Sequence, residues 1–364
     1  MNETKHPQGS DCRDHSRREF VKAVGTAAVA ASVPLFGAPR VSAAPAGPSP
    51  TSPLEGTVAR FFKTLKDDQR KRICFPFDHP KRSEVQNNWA IVKPTIGDMS
   101  TEQQALCAEI FKNLCSEEGY ERFSKQMQDD YGGFESYHVA VFGEPGTDTS
   151  FEWVLTGRHD TLRADGNSVD GAAFGGPIFY GHAADGHINA DTKHMNNVWW
   201  YQGQQANKIF ATLDGAQRTR ALVDTREPDA APSVQLRGDK LGDVGLAVCE
   251  LDPQQKQIVQ KLLKDLTSPF RAFDVDEVQE CLREAGGADK LRLTYFKDGD
   301  VGKDQVWDIW KLEGPAFAWF FHGSPHVHTW VNIARQAPPR ACSHHPVKHD
   351  GPFIPGGRPI VSKS

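Results

Sequence analysis

Apolar positions along this chain fall into two kinds of spacing, one helical and one strand-like, and the two follow each other in a repeated order. Leu106, Ile110, Phe111 and Leu114 recur at intervals of three and four residues, as do Ile258, Val259, Leu262, Leu263 and Leu266. Each set forms one apolar stripe on a helix and reads as core. Four segments carry helix-start chemistry, a cap position followed closely by Glu or Gln: Lys66-Asp67-Asp68-Gln69-Arg70, Ser100-Thr101-Glu102-Gln103, Leu213-Asp214-Gly215-Ala216-Gln217 and Leu251-Asp252-Pro253-Gln254-Gln255. At Asp214 with Gln217, and Asp252 with Gln255, the cap carboxylate serves the free amides of the first turn while the glutamine reaches back to the cap. Pro253 sits at the first helical position, where its missing N–H costs nothing. Residues 137–142, closed by Gly143-Glu144-Pro145-Gly146, and 291–296, closed by Lys297-Asp298-Gly299-Asp300, read as buried strands ending in turns. The order helix, helix, strand, long strand thus occurs twice.

The long strands that follow look alike. Phe151, Trp153 and Gly157 recur as Phe317, Trp319 and Gly323, each 166 residues on, and each strand then meets a histidine, His159 or His326. Alternate strand positions share a face, so Phe151, Trp153, Leu155, Gly157 and His159 form one row. Phe317, Trp319, Phe321 and Gly323 form the other, and a one-residue bulge near Ser324-Pro325 is expected to bring His326 and His328 onto it. The fold class that follows is α+β, with helix pairs packed on an antiparallel sheet. One α+β domain is expected over 54–335, and the recurrence admits two related halves, 54–200 and 201–335, about a pseudo-twofold axis. Residues 171–197 are glycine-rich without clear periodicity and read as a long ordered loop over a cleft. Trp199-Trp200-Tyr201 after it read as packing.

The N-terminus carries an address instead of a fold. Ser16-Arg17-Arg18-Glu19-Phe20-Val21-Lys22 precedes an alanine-rich apolar run over 23–36, the pattern of a twin-arginine export signal, with a cut expected after Ala43. The run is shorter than the span of about 20 residues that crosses a bilayer, and Pro34, Gly37 and Pro39 interrupt or end it. No later stretch is long and apolar enough to span. A periplasmic or extracellular location, with the twin-arginine export machinery as a partner, is the expectation. Residues 44–53 read as a flexible leader and 336–364 as a loosely ordered tail.

Composition narrows the function classes. The 364-residue chain has a formal net charge of -5 and no basic block long enough to follow a phosphate backbone, which argues against a nucleic-acid role. Removing the signal leaves Cys74, Cys107, Cys115, Cys249, Cys281 and Cys342 without a CxxC pair, so the spacing of neither a zinc knuckle nor a thioredoxin motif is present. Cys107 and Cys115 lie about 12 Å apart along one helix, too far to bridge, and buried thiols are the expectation for the set. Neither GxGxxG nor GxSxG occurs. Asp165-Gly166-Asn167 reads as a turn, and Cys342, His344, His345 and His349 read as surface residues of the tail.

His326-Val327-His328 is the sharpest chemical signal, because a His-x-His pair on a strand can supply two adjacent ligands to a divalent metal ion. His159 is the natural third ligand, with His322 and His182 as weaker candidates. Asp160 and Glu313 are candidate ligands, hydrogen-bond acceptors behind the ligands, or general bases. Arg158, beside His159, would favour an anionic small-molecule substrate. These residues point to an exported metal-dependent enzyme, hydrolase or oxidoreductase. The competing reading is a non-catalytic exported protein that binds a ligand or partner and uses its histidines structurally.

Tyr137-His138-Val139-Ala140-Val141-Phe142-Gly143-Glu144-Pro145, Trp153-Val154-Leu155-Thr156-Gly157-Arg158-His159, Phe174-Gly175-Gly176-Pro177 and the glutamine-capped helices together resemble the domain-of-unknown-function 3500 family of bacterial proteins, many of them exported. The resemblance covers most of the mature chain. Its usual Gly-His-His is Gly157-Arg158-His159 here, so His159 alone of that pair carries over. The family implies fold boundaries but no reaction.

Overall fold

Each of the four capped segments opens a helix. The computed structural model describes residues 49, 52–184, 196–301 and 306–337. The segment expected to direct export, most of the expected leader, the tail from 338, His187, His194, Cys342, His344, His345 and His349 lie outside the described residues. The first run of elements comprises α1 (Pro53–Thr64), α2 (Asp67–Ile73), β1 (Cys74–Phe75), α3 (Thr101–Leu114), α4 (Glu117–Tyr131), β2 (His138–Gly143), β3 (Phe151–Gly157), β4 (Asp160–Ala164) and β5 (Ile178–His182). The second comprises α5 (Trp200–Thr212), α6 (Gly215–Ala221), β6 (Leu222–Val223), β7 (Leu246–Ala247), α7 (Pro253–Thr267), α8 (Ala272–Glu284), β8 (Arg292–Phe296), β9 (Ile309–Gly314), β10 (Phe317–His322) and β11 (Val327–Ile333).

The strands form one sheet in the order β1-β2-β3-β4-β5-β11-β10-β9-β8-β6, with β7 against β8. Among the described residues only the pairs β1 with β2 and β6 with β8 are parallel, so the architecture is the expected α+β with a mostly antiparallel sheet. Side chains alternate between its faces. Trp153, Leu155, Trp310, Leu312, Trp319 and Phe321 pack with Phe61, Phe111, Phe123, Val259 and Leu262 of the helices in the main core. On the other face Phe179, Phe320 and Trp330 meet Val85 and Val234 from connecting segments. Trp199 and Trp200 are buried, Trp199 edge-on to Phe123 and Tyr180.

The two runs share one internal device. Gln69 and Gln103 exchange side-chain amide hydrogen bonds of 2.9 and 3.0 Å, and the Gln103 amide also donates to the Thr64 carbonyl at 3.1 Å. Gln217 and Gln255 repeat this at 3.1 and 2.9 Å, with the Gln255 amide donating to Thr212 at 3.0 Å. Arg70 over Phe62 and Arg218 over Phe210 accompany them. A cap glutamine in each run therefore bolts one helix start to another.

Sheet position changes which strands correspond. Counted inward from the two ends, β3 matches β9 and not β10. Trp153 lies opposite Val141 of β2, and Trp310 lies opposite Tyr295 of β8. Trp153, Leu155 and Gly157 thus stand where Trp310, Leu312 and Gly314 stand, and the likeness of β3 to β10 joins strands at unlike places.

The expected bulge is also absent. Strand β10 ends at His322, residues 323–326 make the turn into β11, and the Ser324–Pro325 peptide is cis. His328 pairs with His322, Trp330 with Phe320 and Val331 with Trp319. Direct cross-strand partners share a face, so His328 lies on the face opposite Trp319, and the aromatic row does not run into the imidazoles. The 171–197 segment, expected as a loop, contains β5, a central strand. Cys249, expected as a thiol, is disulfide-bonded, whereas Cys74, Cys107, Cys115 and Cys281 are free.

Candidate metal centre

The centre lies where β5 meets β11. His159 occupies the turn between β3 and β4, where Gly157 pairs with Asp160. Its φ of 61° is left-handed, a conformation that costs an ordinary residue about 1–2 kcal/mol. Two backbone bonds hold it there: His159 N donates to Asn87 O at 2.8 Å, and Gly181 N donates to His159 O at 3.0 Å. Gly181 is opposite His328 in the register of β5 and β11. A Cβ at Gly181 would lie 2.3 Å from the Val327 carbonyl, 3.3 Å from the His328 ring and 3.4 Å from His159 Cβ. The missing side chain lets the turn, β5 and β11 close on one another.

That closure gathers three imidazoles. His159 Nε2 lies 3.1 Å from His326 Nε2 and 3.2 Å from His328 Nε2. One ligand atom from each ring falls within 4.8 Å of the others, and the group could hold a metal ion. His159 and His328 are buried and His326 is half-buried.

Carboxylates fix the orientation of two rings. His159 Nδ1 donates to Asp130 Oδ2 at 2.7 Å, and His328 Nδ1 donates to Asp229 Oδ2 at 2.5 Å. Each carboxylate is itself held, Asp130 by the Ala183 amide at 2.9 Å and Asp229 by the Trp330 indole at 2.7 Å. A carboxylate behind a histidine sets the tautomer and raises the basicity of the inward nitrogen. With both Nδ1 atoms protonated, the neutral rings of His159 and His328 turn lone pairs toward each other. At 3.2 Å that contact is repulsive unless a cation lies between them.

Burial disfavours a proton in that role. It drives His159 well below the usual imidazole range, reinforced by His328 and Arg158, and lowers His326 to about 2, reinforced by His328 and His159. Asp130 is raised to about 6 by burial, against the pull of His182 and the Ala183 amide. Asp229 shows the opposite balance: burial would raise it, but the hydrogen bond and charge of His328 hold it low.

The other expected residues fall at graded distances from the centre. Arg158 precedes His159 and is buried, its carbonyl accepting the Tyr137 hydroxyl at 2.8 Å. Its guanidinium has no hydrogen-bond or ion-pair partner among the described residues. Asp160 is fully buried and accepts the Gln126 amide at 2.9 Å. Glu313 pairs with Lys311 at 2.9 Å and lies opposite Ala318, four residues before the end of β10. That places it about 13 Å along the strand from His322. His322 is buried beside the centre, 3.8 Å from Asp229, with no hydrogen bond to either ring nitrogen among the described residues. His182 is engaged elsewhere, accepting the Val198 amide at Nδ1 and donating from Nε2 to Asp129 at 3.1 Å. The sequence reading missed Asp130 and Asp229. Asp130 had one local signal, an acid in the last turn of an amphipathic helix, where the helix dipole disfavours it.

Residues 48–331 match the model of the family described as "Protein of unknown function (DUF3500)". The chain belongs to this family. The DUF3500 match contains the three imidazoles, both supporting carboxylates and both glutamine clasps. No curated protein and no solved structure matches the chain.

Proposed function

We propose that this protein is an exported metal-dependent enzyme in which His159, His326 and His328 hold a divalent ion. The convergence of the three Nε2 atoms carries the reading. Nitrogens bound at about 2.1 Å around a tetrahedral ion lie about 3.4 Å apart, and the separations of 3.1 and 3.2 Å from His159 require little adjustment to meet that geometry. Three neutral ligands leave the ion its double positive charge and a coordination position for water or substrate. Polarising a bound oxygen for hydrolysis suits this set best, while iron or copper in the same ligands would admit redox chemistry. In hydrolysis the ion would supply a bound hydroxide as nucleophile, while buried Asp160 accepts from Gln126 and half-buried Glu313 pairs with Lys311.

Export rests on Arg17-Arg18 and the apolar run behind them, and on the disulfide at Cys249, since disulfides persist in oxidising compartments. The twin-arginine machinery is then the transport partner, and the mature protein is periplasmic or extracellular. Among the described residues no helix is long and apolar enough to cross a membrane. We also read the paired glutamine clasps as the trace of an internal repeat relating 54–200 to 201–335. The test of the enzyme reading is elemental analysis of the mature chain beside a His326→Ala/His328→Ala variant. One equivalent of metal in the wild type and none in a folded variant is expected. A wild type that takes up no stoichiometric ion from zinc, iron, manganese or copper would overturn it.

A further inference from the structure

We infer that Arg158 is the anion-binding residue of this centre and that the substrate is a small organic molecule carrying one carboxylate. The inference rests on the metal-centre reading above. Arg158 is 9% exposed, yet its five N–H donors find no acceptor among the described residues. A guanidinium that is largely buried, keeps only an edge of solvent contact and lacks a protein acceptor is costly to hold, and its open donors are free for a partner that arrives from solvent. The residue is placed for that role. It shares the β3–β4 turn with His159, and the Tyr137 hydroxyl fixes its carbonyl at 2.8 Å. Its charge is felt at Asp130, His159 and His326.

Charge accounting selects the substrate class. Nearby cations already have their own acids: Lys125 pairs with Asp129 at 2.6 Å, and Arg226 lies 3.8 Å from Asp298. Asp130 and Asp229, behind the two ligand rings, balance a divalent ion. Among the described residues around the centre, Arg158 is then the cation without an acid of its own, and a monoanion neutralises it where a phosphate dianion overshoots. The planar fork of arginine matches the two oxygens of a carboxylate. A carboxylate on Arg158 would leave the rest of a small molecule beside His159 and His326, within reach of the ion.

The test is calorimetric titration of acetate and benzoate, with inorganic phosphate and sulfate as dianion arms, into zinc-loaded and metal-free mature protein. Wild type, Arg158→Gln and Arg158→Lys are compared, with metal content and thermal melting recorded for each. Carboxylate binding to loaded wild type, weaker by at least tenfold in Arg158→Gln at unchanged metal content and partly restored in Arg158→Lys, supports the inference. Equal carboxylate affinity in Arg158→Gln, or phosphate binding tighter than acetate, overturns it. A wild type that holds no zinc but loses acetate binding on Arg158→Gln removes the enzyme reading and keeps the anion site. An Arg158→Gln protein that melts far below wild type makes Arg158→Lys the deciding comparison, and a Lys variant that binds no carboxylate while still folded counts against the inference.

Discussion

Replacing Gln255 by alanine is expected to cost about 3 kcal/mol, although the residue is far from the imidazoles and carries no charge. Gln255 is 5% exposed, and its side chain makes four hydrogen bonds. The oxygen accepts from Asp252 N at 3.0 Å and from the Gln217 amide at 3.1 Å. The nitrogen donates to Thr212 O at 3.0 Å and to Gln217 Oε1 at 2.9 Å. Each such bond contributes about 1 kcal/mol net, and truncation leaves the start of α7 and the end of α5 with unpaired groups. Water entering the vacated space recovers part of that loss. Gln103→Ala, 3% exposed in the equivalent clasp, should cost the same within about 1 kcal/mol.

Urea unfolding followed by circular dichroism at constant pH measures both changes. The double variant Gln217→Ala/Gln255→Ala should be less destabilised than the sum of its parts by about 1–2 kcal/mol, because the two residues share two bonds. A loss below about 0.5 kcal/mol for Gln255→Ala, the level of an ordinary surface change, or strict additivity in the double variant, would refute the clasp as a source of stability.

Two further outcomes are expected. Glu277 is raised to about 8 by burial and by the charges of Asp165 and Asp274; its contribution is complete below the free-carboxylate range and lost as pH rises through about 8. Glu277→Gln, which keeps an oxygen for the Phe174 amide, should therefore gain on the order of 3 kcal/mol over wild type at pH 9 and little at pH 5, as read from urea midpoints at the two pH values. Asp229→Asn replaces the acceptor behind His328 and should weaken zinc binding 10–100-fold in competition with a chromophoric chelator; unchanged affinity would mean that the carboxylate does not support a ligand.

What the sequence could reveal depended on how local the cause was. The caps at Ser100, Asp214 and Asp252 were readable because cap and glutamine lie three residues apart and satisfy each other's amides. The reciprocal bonding of Gln69 with Gln103 was not, since it needs two helix starts brought together by packing. Strand β5 escaped because Ile178-Phe179-Tyr180-Gly181-His182 is buried on both faces and shows no alternation. The correspondence of Trp153 with Trp310 is a statement about neighbours in a sheet, and a stronger aromatic likeness to β10 concealed it. His326 and His328 announced themselves by spacing, and His159 by ending a strand pattern, Phe151, Trp153 and Gly157, that recurs before His326. Their convergence did not come from a shared face, as the pattern suggested, but from a turn folding over the end of a neighbouring strand. Asp229, in a proline-rich connection, acquires its role only when that connection crosses the sheet.

His159 comes from the first run of elements, and His326 and His328 from the second, so an ion bound by all three would fasten the sheet at its midline. Strands β5 and β11 there share five register pairs. A ligand that recognises only the joined form stabilises it by about 2.7 kcal/mol at a hundredfold excess over its dissociation constant. Amides of β5 and β11 would then exchange with solvent more slowly in the loaded protein than in the stripped one, while those of β2 and β8 would change less. A metal-starved protein would open along its middle instead of fraying from its edges.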